Sequence, residues 1–389
     1  MITIETADSA LKSYYLDAVK DALDYKVNPF LAKVSQSTVD VVGKDVRKYV
    51  RTGISGGIGA GTETGDLPKA KEANRVQLVS TLKNLYATLE ISDKALRASA
   101  SNEGAFVNLL NDEMQTLVKG ATYHFGRMLF GNGTGLVADT RSASGNRVSA
   151  YDVKNLVEGM VVDFYCNDEP IEGAQKRTIV AVDRVEKTFT VDGASLNSVS
   201  DNWEDCQVYV HDGKDNELTG LYAIFDEMNL YGLSKDDYSF LRPYIERNMG
   251  DIDENRIQYA IDIIEETSGS KVNMILCSWG VKRALMQHYK DFGMKAETMQ
   301  LDNGEQVISF NGIPVIADRF CPQGTMYLLN TDDFKLHQLC DWKWLEGEDG
   351  KILKQIPGKP VYTATLVKYA ELMCERPCAQ GMIVDIMER

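Results

Sequence analysis

The stretch RTGISGGIGAGTETGDLPKAK at residues 51–71 decides how the chain is interpreted, because a glycine-rich run can be a phosphate-binding loop or a flexible turn. Six glycines fall within positions 53–65. A Walker A loop requires G-x₄-G-K-[ST], but Thr62 and Glu63 follow Gly61 here. The dinucleotide pattern G-x-G-x-x-G fails as well, because position 62 is not glycine. No helical pattern follows whose N-terminus would receive an anion. The run therefore predicts the mobile tip of a hairpin.

Extended segments flank the glycine-rich run on both sides. VDVVGKDVRKYV at 39–50 precedes it, and RVQLVSTLKNLYATLEIS at 75–92 follows it. In the second segment Val76, Leu78 and Leu82 fall on one side of an extended backbone, the alternation that indicates a half-buried strand. Two such segments joined by a glycine-rich connection predict one long β-hairpin.

Two stretches carry the periodicity of amphipathic helices. Residues 8–26 place apolar side chains at spacings of four, four and three, on one helical face. Residues 101–131 repeat apolar side chains from Phe106 to Met128 at spacings of three and four, and Gly131 marks the end. The second helix would be roughly 40 Å long. A helix of that length typically supports an extended structure.

The remainder of the chain is β-rich or mixed. A Ser/Gly-rich linker is predicted at 131–150, and four short β-type runs follow within 159–211, which predicts a small antiparallel sheet or barrel. Residues 216–340 combine helical and strand patterns and contain two Asn-Gly turns. Three further extended runs occupy 341–389.

No group of residues indicates a catalytic, cofactor-binding or metal site. Ser278 in LCSWG lacks the first glycine of a nucleophile elbow, so we interpret it as a helix N-cap. In DIDEN at 251–255, Arg256 occupies the place of the turn glycine of a calcium loop. The four histidines lack a metal-binding spacing, and no histidine follows the pair Cys374 and Cys378. We expect no catalysis, no cofactor and no metal.

The composition is that of a folded protein. The 389 residues are 44% hydrophobic and 25% charged, and no apolar run approaches the roughly 18 residues of a membrane helix. The N-terminus lacks the features of a secretory signal. Seven scattered cysteines indicate a reducing compartment and buried thiols rather than a disulfide framework. A net charge of −15 makes the surface as a whole a poor binder of nucleic acid.

Taken in order, these parts resemble the major capsid proteins of tailed phages, which have the Hong Kong 97 fold. The likeness covers essentially the whole chain. It rests on TLKNLYATLEISDKALRAS at 81–99, MLFGNGTG at 128–135 and FNGIPVIADRFCPQGTMYLLNTDDFKL at 310–336. The fold that it implies is α+β, with an N-terminal arm, an extended E-loop hairpin, a peripheral domain with a long spine helix, and an axial α/β domain. A small antiparallel β domain would be inserted into that fold.

The resemblance implies a domain organisation and an assembly interface. The domains would be an N-terminal arm at 1–44, an E-loop hairpin at 45–90, a peripheral domain at 91–151 and 341–389 with its spine helix at about 102–130, an inserted β domain at 152–215, and an axial domain at 216–340. The E-loop interface with a neighbouring subunit would comprise Arg51, Gly56, Gly57, Gly59, Gly61, Lys69, Lys71 and Arg75. Glycines suit a tip that must adapt to different neighbours, because they tolerate a wide range of φ and ψ.

Two departures from the family pattern modify these expectations. Some members crosslink an E-loop lysine to an asparagine in the C-terminal part of the peripheral domain. Lys69 and Lys71 are available, but no asparagine follows Asn330, so we expect no such crosslink. Some relatives also carry an N-terminal scaffolding segment, whereas the arm is predicted to start at Met1, so we expect a separate scaffolding protein.

The function implied by the resemblance is that of a major capsid protein and not of an enzyme. Copies would assemble as pentamers and hexamers into an icosahedral shell that encloses double-stranded DNA without sequence-specific binding. Separate scaffolding, portal and decoration proteins would be partners, and no membrane would be involved. The protein would be located in the virion capsid, which would be assembled in the host cytoplasm.

Two alternatives remain at this point. One is an encapsulin, which has the same fold around enzyme cargo, although encapsulins are typically shorter and lack the inserted β domain. The other is a multidomain enzyme with the thiol of Cys321 as nucleophile, for which the sequence offers no base motif.

Overall fold

The computed structural model describes residue 16 and residues 29–53, 57–66, 74–94, 103–199, 203–293, 297–301, 304, 306–347 and 350–388, with only the backbone described at 74 and 103–111. The fold is a mixed α+β fold with many strands and few helices, as the sequence predicted. The predicted helix at 8–26 lies outside the described residues except for Leu16.

The described residues form four α-helices and twenty-four strands. The helices are α1 (Glu103–Met128), α2 (Leu221–Asp226), α3 (Glu254–Ser268) and α4 (Trp279–Asp291). The first twelve strands are β1 (Ser35–Ser37), β2 (Val41–Val42), β3 (Asp45–Thr52), β4 (Asn74–Thr81), β5 (Lys83–Ser92), β6 (Leu136–Ser144), β7 (Arg147–Ala150), β8 (Val161–Cys166), β9 (Glu169–Pro170), β10 (Arg177–Asp183), β11 (Thr188–Val191) and β12 (Gln207–Val210). The remaining strands are β13 (Asn229–Leu230), β14 (Leu233–Ser234), β15 (Tyr244–Glu246), β16 (Met274–Cys277), β17 (Glu297–Gln300), β18 (Gln306–Phe310), β19 (Ile313–Ala317), β20 (Met326–Leu329), β21 (Phe334–Trp344), β22 (Lys354–Gln355), β23 (Val361–Cys374) and β24 (Gly381–Ile383). None of the described helices combines the length and the apolar character needed to cross a membrane.

Strands β3 and β4 form a long antiparallel pair, which is called the ribbon below, and the short strand β2 pairs with the beginning of β3. The pairing runs without a break from Asp45 opposite Thr81 to Thr52 opposite Asn74. The predicted hairpin is therefore confirmed over these two strands. Its second arm is shorter than predicted, because the chain leaves the ribbon at Leu82 and enters β5, which belongs to another sheet.

A five-stranded sheet supports the ribbon at its base. The long strand β23 lies between β21 on one side and β5 on the other, β1 pairs with β21, and β22 extends the β21 side. Helix α1, predicted from its apolar stripe, packs against this sheet, and the rings of Phe125 and Trp342 lie 6.1 Å apart between centroids. Both residues belong to the largest apolar core of the described residues, which connects α1 to the sheet.

A mixed sheet forms the second layer, in the strand order β15-β24-β20-β16-β19-β18-β17. Helices α3 and α4 cover one of its faces through Ile257, Ile261, Val281 and Leu285. The boundary expected at 340 does not coincide with a sheet boundary. Strand β21 runs across it within the five-stranded sheet, and the last strand, β24, returns to the mixed sheet.

Short-range signals explain where these helices begin and end. The side chain of Asp253 accepts a hydrogen bond from the Asn255 amide and caps α3, which ends at Gly269 in the left-handed region at φ 68°. The side chain of Ser278 accepts from the Val281 amide and caps α4. The N-cap interpretation of Ser278 is confirmed.

Strands β6 to β12 form a small antiparallel barrel. Their order is β10-β11-β7-β6-β12-β8-β9, and β10 also pairs with β8, which closes the sheet. Phe164, Phe189 and Trp203 fill its separate apolar core. The four predicted β-type runs are present as β8, β10, β11 and β12. The predicted linker at 131–150 is wrong, since β6 and β7 occupy most of it as two strands of this barrel.

The barrel contains a disulfide that the sequence analysis did not predict. The register places Tyr165 of β8 opposite Gln207 of β12, so the adjacent residues Cys166 and Cys206 face each other with Cα atoms 4.5 Å apart. They form a disulfide, whereas the remaining five cysteines are free. The expectation of thiols throughout is therefore wrong for this pair.

Candidate assembly surfaces

The ribbon exposes a basic and aromatic face to solvent. Along β3, Arg47, Tyr49 and Arg51 are exposed, and they alternate with more buried side chains on the other face. Tyr49 is 66% exposed. This period-two pattern turns one face of the ribbon toward its own subunit and leaves the other available.

Two arginines dominate that exposed face. Arg51 of β3 is directly opposite Arg75 of β4 in the antiparallel register. Both side chains are exposed, and no carboxylate of the described residues forms an ion pair with either of them. Arg47, by contrast, pairs with Asp45 at 3.3 Å. Like charges in direct opposition repel each other across a strand pair.

A lysine of β3 lies between two carboxylates, one just before β2 and one just after β23. The Lys48 ammonium lies 2.7 Å from an Asp40 oxygen and 3.4 Å from a Glu375 oxygen. The hydrogen bond to Asp40 is the main cause that raises the pKa of Lys48, although partial burial opposes it. These ion pairs tie β3 to the segments that hold Asp40 and Glu375.

The tip of the ribbon is described only in part. Gly57 is half-buried, whereas Gly59 and Gly61 are exposed, and Ile58 between them is 81% exposed. The other tip residues of the predicted interface, Gly56, Lys69 and Lys71, lie outside the described residues.

A groove of about 930 Å³ runs along β5, and it is called the β5 groove below. Residues 81–90 form one wall without interruption, and residues of α1 between Glu113 and Met128 form the opposite wall. The loop at 210–217 and the ring of Trp342 complete the lining. The groove therefore combines segments that are far apart in sequence.

The charged side chains of the β5 groove are mainly acidic. Glu90, Glu113, Asp212 and Glu217 contribute four carboxylates, against the single ammonium of Lys83. The carboxylate of Glu217 is buried and pairs with Arg127 of α1.

A histidine adds no positive charge to the groove near neutral pH. Burial, together with the nearby Arg127 guanidinium, lowers the pKa of His124 to about 4. His124 is therefore neutral near pH 7 and does not offset the negative charge of the groove.

Comparison with known proteins identifies this architecture. No protein-family model and no curated protein sequence matches the chain. The capsid of cyanophage A-1(L) aligns over 92% of this chain and 92% of that chain, at 12% identity and a TM-score of 0.54. The chain has the fold of a phage capsid protein.

Two further solved structures are similar at lower TM-scores. The holo-SrpI encapsulin complex of Synechococcus elongatus PCC 7942 covers 93% of this chain and 89% of that chain, at 9% identity and a TM-score of 0.49. The capsid of a native GTA particle covers 94% and 91%, at 10% identity and a TM-score of 0.47. Of these three, the cyanophage capsid alone exceeds 0.5, and at its identity the match establishes the capsid fold and no more.

One side-chain cluster on the capsid fold has ligand atoms within reach of a shared metal ion. Oxygen or nitrogen atoms of Asp163, His211 and Asp212 lie within 4.8 Å of one another. The Asp163 carboxylate, however, already accepts from His211 Nδ1 and from the amides of Lys176 and Asp212. These bonds make Asp163 a structural acceptor that fixes a turn beside the β5 groove.

The thiol considered as a nucleophile does not suit that role. Cys321 is buried, and burial raises the pKa of its thiol well above the ordinary value. A thiolate is the reactive form, so this environment disfavours nucleophilic chemistry. The hydroxyl of Ser278 donates to Glu388, in addition to its capping role. Both residues therefore serve the packing of the capsid fold.

The sequence predicted the ribbon but not the β5 groove. The alternation of Arg47, Tyr49 and Arg51 was present in the sequence as a signal for an exposed face. The opposition of Arg51 and Arg75 required the register, and the acidic groove required the packing of α1 beside β5. The predicted interface residues Arg51 and Arg75 are thus brought together.

Proposed function

We propose that this chain is the major capsid protein of a tailed phage with the Hong Kong 97 fold. In this proposal copies assemble as pentamers and hexamers into an icosahedral shell that encloses a double-stranded DNA genome. The observation that carries the proposal is the correspondence with a cyanophage capsid over 92% of both chains. A correspondence over this share of both chains argues that most of the architecture is shared, and not one common motif.

The ribbon supports an assembly role. Its basic and aromatic face is exposed, whereas Val46 and Leu78 on the strands are buried in the core of the subunit. The exposed face is thus available to another molecule while the ribbon stays attached to its own subunit. We propose that it acts as the E-loop and contacts a neighbouring subunit. The proposed contact residues are those assigned from the sequence: Arg51, Gly56, Gly57, Gly59, Gly61, Lys69, Lys71 and Arg75.

The charge of the chain supports enclosure of DNA without specific binding. At a net charge of −15, the subunit as a whole repels a polyanion, so a packed genome would slide along the wall and not adhere to it. Separate scaffolding, portal and decoration proteins would act as partners during assembly in the host cytoplasm. The mature location would be the virion capsid.

Negative-stain electron microscopy tests this proposal. The full chain is expressed alone and then with a candidate scaffolding protein encoded beside it. We expect closed shells, or rings of five and six subunits, and DNA rather than a protein cargo in particles from infected cells. A uniform small particle under both conditions would contradict the shell function, and an enzyme cargo would favour an encapsulin.

The covalent state of the shell gives a second test of the proposal. Because no asparagine follows Asn330, we expect shells held together by noncovalent contacts. Denaturing gel electrophoresis of purified shells should then show a single band near the 43.3 kDa of one chain. A ladder of high-mass bands that survives reduction would contradict this expectation.

A further inference from the structure

Helix α4 exposes two large apolar side chains on the face that turns away from the mixed sheet. Its buried face packs on that sheet through Val281 and Leu285. On the opposite face, Trp279 is 55% exposed and Met286, two turns further on, is 40% exposed. An amphipathic helix normally directs polar residues toward solvent. The packing of this subunit therefore does not account for these two side chains.

Basic residues flank these two side chains on the same face of α4. At 3.6 residues per turn, five positions fall within a sector of about 100° around the helix axis. They are called the α4 stripe below and comprise Trp279, Lys282, Arg283, Met286 and Lys290. The Lys282 ammonium lies 5.6 Å from the centre of the Trp279 ring, in a cation–π contact. The α4 stripe thus carries three cations and no acidic residue, in a chain of net charge −15.

The segment at 386–388 places a third exposed apolar residue close to the α4 stripe. The Glu388 carboxylate accepts a hydrogen bond from the hydroxyl of Ser278, which caps α4, and another from the Gly324 amide at 2.8 Å. These bonds hold the preceding residue, Met387, near the start of α4. Met387 is 57% exposed. The exposed apolar surface therefore continues past Trp279 at the N-terminal end of the helix.

The composition of the α4 stripe is that of a protein-binding surface. Trp, Met and Arg are enriched in such surfaces, and Trp and Arg are frequent among the residues that dominate binding. A nucleic-acid backbone would pair with the cations but would leave Met286 and Met387 in water. An amphipathic helix with apolar residues along one side and acidic residues beside them would satisfy both the apolar and the basic side chains.

A second copy of this chain fits the α4 stripe less well than a separate protein. The neighbouring helix α3 exposes Tyr259, Asp262 and Glu266, so the chain does carry an acidic helix surface. Helices α3 and α4, however, cover the same face of the mixed sheet. Two complementary surfaces side by side on one face would pair two copies face to face, and this contact closes after two copies. It would not build rings of five and six subunits.

We propose that the α4 stripe docks an acidic amphipathic helix of a separate scaffolding protein during assembly. This inference rests on the proposed function, which includes such a partner, and it assigns that partner a surface. Five side chains on one helix offer less area than the roughly 800 Å² per partner of a stable interface. Ion pairs at so exposed a surface add little affinity. A weak contact of this kind suits a partner that leaves once the shell has formed.

Fluorescence quenching by acrylamide tests the docking on the unaltered protein. Trp279 is the only exposed tryptophan of the four, since Trp203, Trp342 and Trp344 are buried. Shells assembled with the scaffolding protein encoded beside this chain are compared with unassembled subunits and with shells from which that protein has been extracted. We expect the quenching constant to fall at least about threefold in the first and to recover in the last. Equal quenching in all three states, or no recovery after extraction, would contradict the inference, the latter because a second copy would then cover the stripe.

Two variants separate the charge of the α4 stripe from its apolar surface. Lys282→Glu with Lys290→Glu reverses two charges, and Met286→Ser removes an apolar contact. Lys176→Glu with Lys187→Glu makes the same charge change on exposed positions of the barrel and is the control. We expect each stripe variant to retain at least about fivefold less scaffolding protein per shell subunit than wild type, and the control to retain as much as wild type.

The outcomes distinguish this inference from the shell function. Urea denaturation of the subunits checks that the stripe variants fold like wild type. If wild-type shells form but the stripe variants retain the scaffolding protein, or if the control loses as much of it, the docking inference is wrong while the shell function stands. If wild type forms no shells under any condition, both are wrong.

A synthetic peptide tests the chemistry of the occupant without a scaffolding protein. One peptide is an amphipathic helix with leucines along one side and glutamates beside them, and the other carries lysines in place of the glutamates. Each is titrated into unassembled subunits, with the shielding of Trp279 from acrylamide as the readout. We expect the acidic peptide to bind at least about tenfold more tightly at low ionic strength, and this advantage to shrink in about 0.5 M salt. Equal binding of the two peptides would contradict an acidic occupant.

Discussion

Arg51 and Arg75 stand directly opposite each other across the ribbon, one on each strand of an antiparallel pair. Both are exposed, and neither has a carboxylate partner among the described residues. Opposed like charges destabilise a strand pair by a few tenths of a kcal/mol or more. The arrangement is therefore unfavourable in the isolated subunit and becomes favourable when an acidic surface covers it.

Replacing one of these arginines should have opposite effects on the subunit and on the shell. Arg75→Glu converts the repulsive pair into an attractive one. We expect the free energy of unfolding of the isolated subunit to rise by about 0.5 kcal/mol. Shell yield should fall at the same time, since the proposed assembly contact loses a positive charge. Urea denaturation measures the first effect, and sedimentation measures the second.

Lys271→Glu is the control for this substitution, because Lys271 is exposed and lies outside the ribbon. It makes the same change in net charge and should alter neither quantity. A parallel loss of subunit stability and shell yield in Arg75→Glu would mean that the arginine acts through folding, which would contradict a role in assembly.

The barrel disulfide should stabilise its own domain. Cys166 and Cys206 enclose a segment of sequence separation 40, and closing a loop of that size restricts the unfolded chain by about 4 kcal/mol in the entropic account. We expect Cys166→Ser, or reduction of the wild type, to lower the stability of the barrel by up to about that amount. The fluorescence of Trp203, which is buried against Phe164 in the barrel core, reports the transition.

Cys340→Ser provides the comparison, because Cys340 is a half-buried free cysteine in the five-stranded sheet. It should leave the Trp203 transition unchanged, and a reductant should have no further effect on the Cys166→Ser variant. If reduction shifts wild type and Cys166→Ser equally, the disulfide does not carry the stability of the barrel.

Much of the local structure follows from short-range patterns. The apolar stripe that ends at Met128 predicted α1, because a single periodicity runs through the whole helix. Asn311 and Gly312 predicted a hairpin, and both adopt positive φ between β18 and β19. The extended run VYTATLVKYAELMC corresponds to β23 from Val361 to Cys374. In each case the sequence pattern lies within the element that it predicts.

The remaining features depend on contacts between distant segments. Cys166 and Cys206 are ordinary scattered cysteines until the register of β8 and β12 aligns them. The alternation shifts from even-numbered positions, up to Leu82, to odd-numbered positions, from Leu85, but this shift does not show that the two parts join different sheets. The β5 groove exists because α1 packs beside an edge strand and residues of the loop at 210–217 complete its lining. Periodicity determines which face of a strand is buried, but not which element covers it.

A buried carboxyl group should give the subunit a measurable pH dependence. Glu371 of β23 is fully buried, and one of its oxygens has no hydrogen-bond partner among the described residues, while the other accepts from the Thr219 amide at 3.0 Å. Burial is the main cause that raises the pKa of Glu371 to about 7. A carboxyl group with a raised pKa stabilises the fold in its neutral form. That contribution is complete below the unfolded pKa, near 4.5, and is lost as pH rises through about 7.

Glu371→Gln should remove this dependence, because the amide stays neutral and can still accept from Thr219. At pH 8 the variant should be more stable than wild type by as much as about 3 kcal/mol, and the difference should shrink toward zero near pH 4.5. Thermal denaturation across this range measures it. Glu90→Gln, on the exposed face of β5, is the matched control and should follow the wild-type curve. A constant difference between Glu371→Gln and wild type at all pH values would exclude titration as the cause.

Two glycines should respond in opposite ways to the same substitution. At Gly220, an added Cβ atom would lie 2.6 Å from the Gly131 carbonyl oxygen and 2.7 Å from that of Leu129, where α2 begins against the end of α1. Backbone atoms cannot move aside there, because the Leu221 amide donates to the Leu129 carbonyl at 2.8 Å. We expect Gly220→Ala to destabilise the subunit by about 3 kcal/mol or more.

Gly120→Ala is the matched change in open space, since nothing lies within 4 Å of an added Cβ atom within α1. Alanine is the better helix former, so this variant should gain about 1 kcal/mol. Urea denaturation of the two unassembled variants beside wild type measures both values. If Gly220→Ala unfolds at the wild-type urea concentration, the junction between α1 and α2 is not the close backbone contact described here. A loss of stability in Gly120→Ala would instead show that the groove wall beside β5 is already filled.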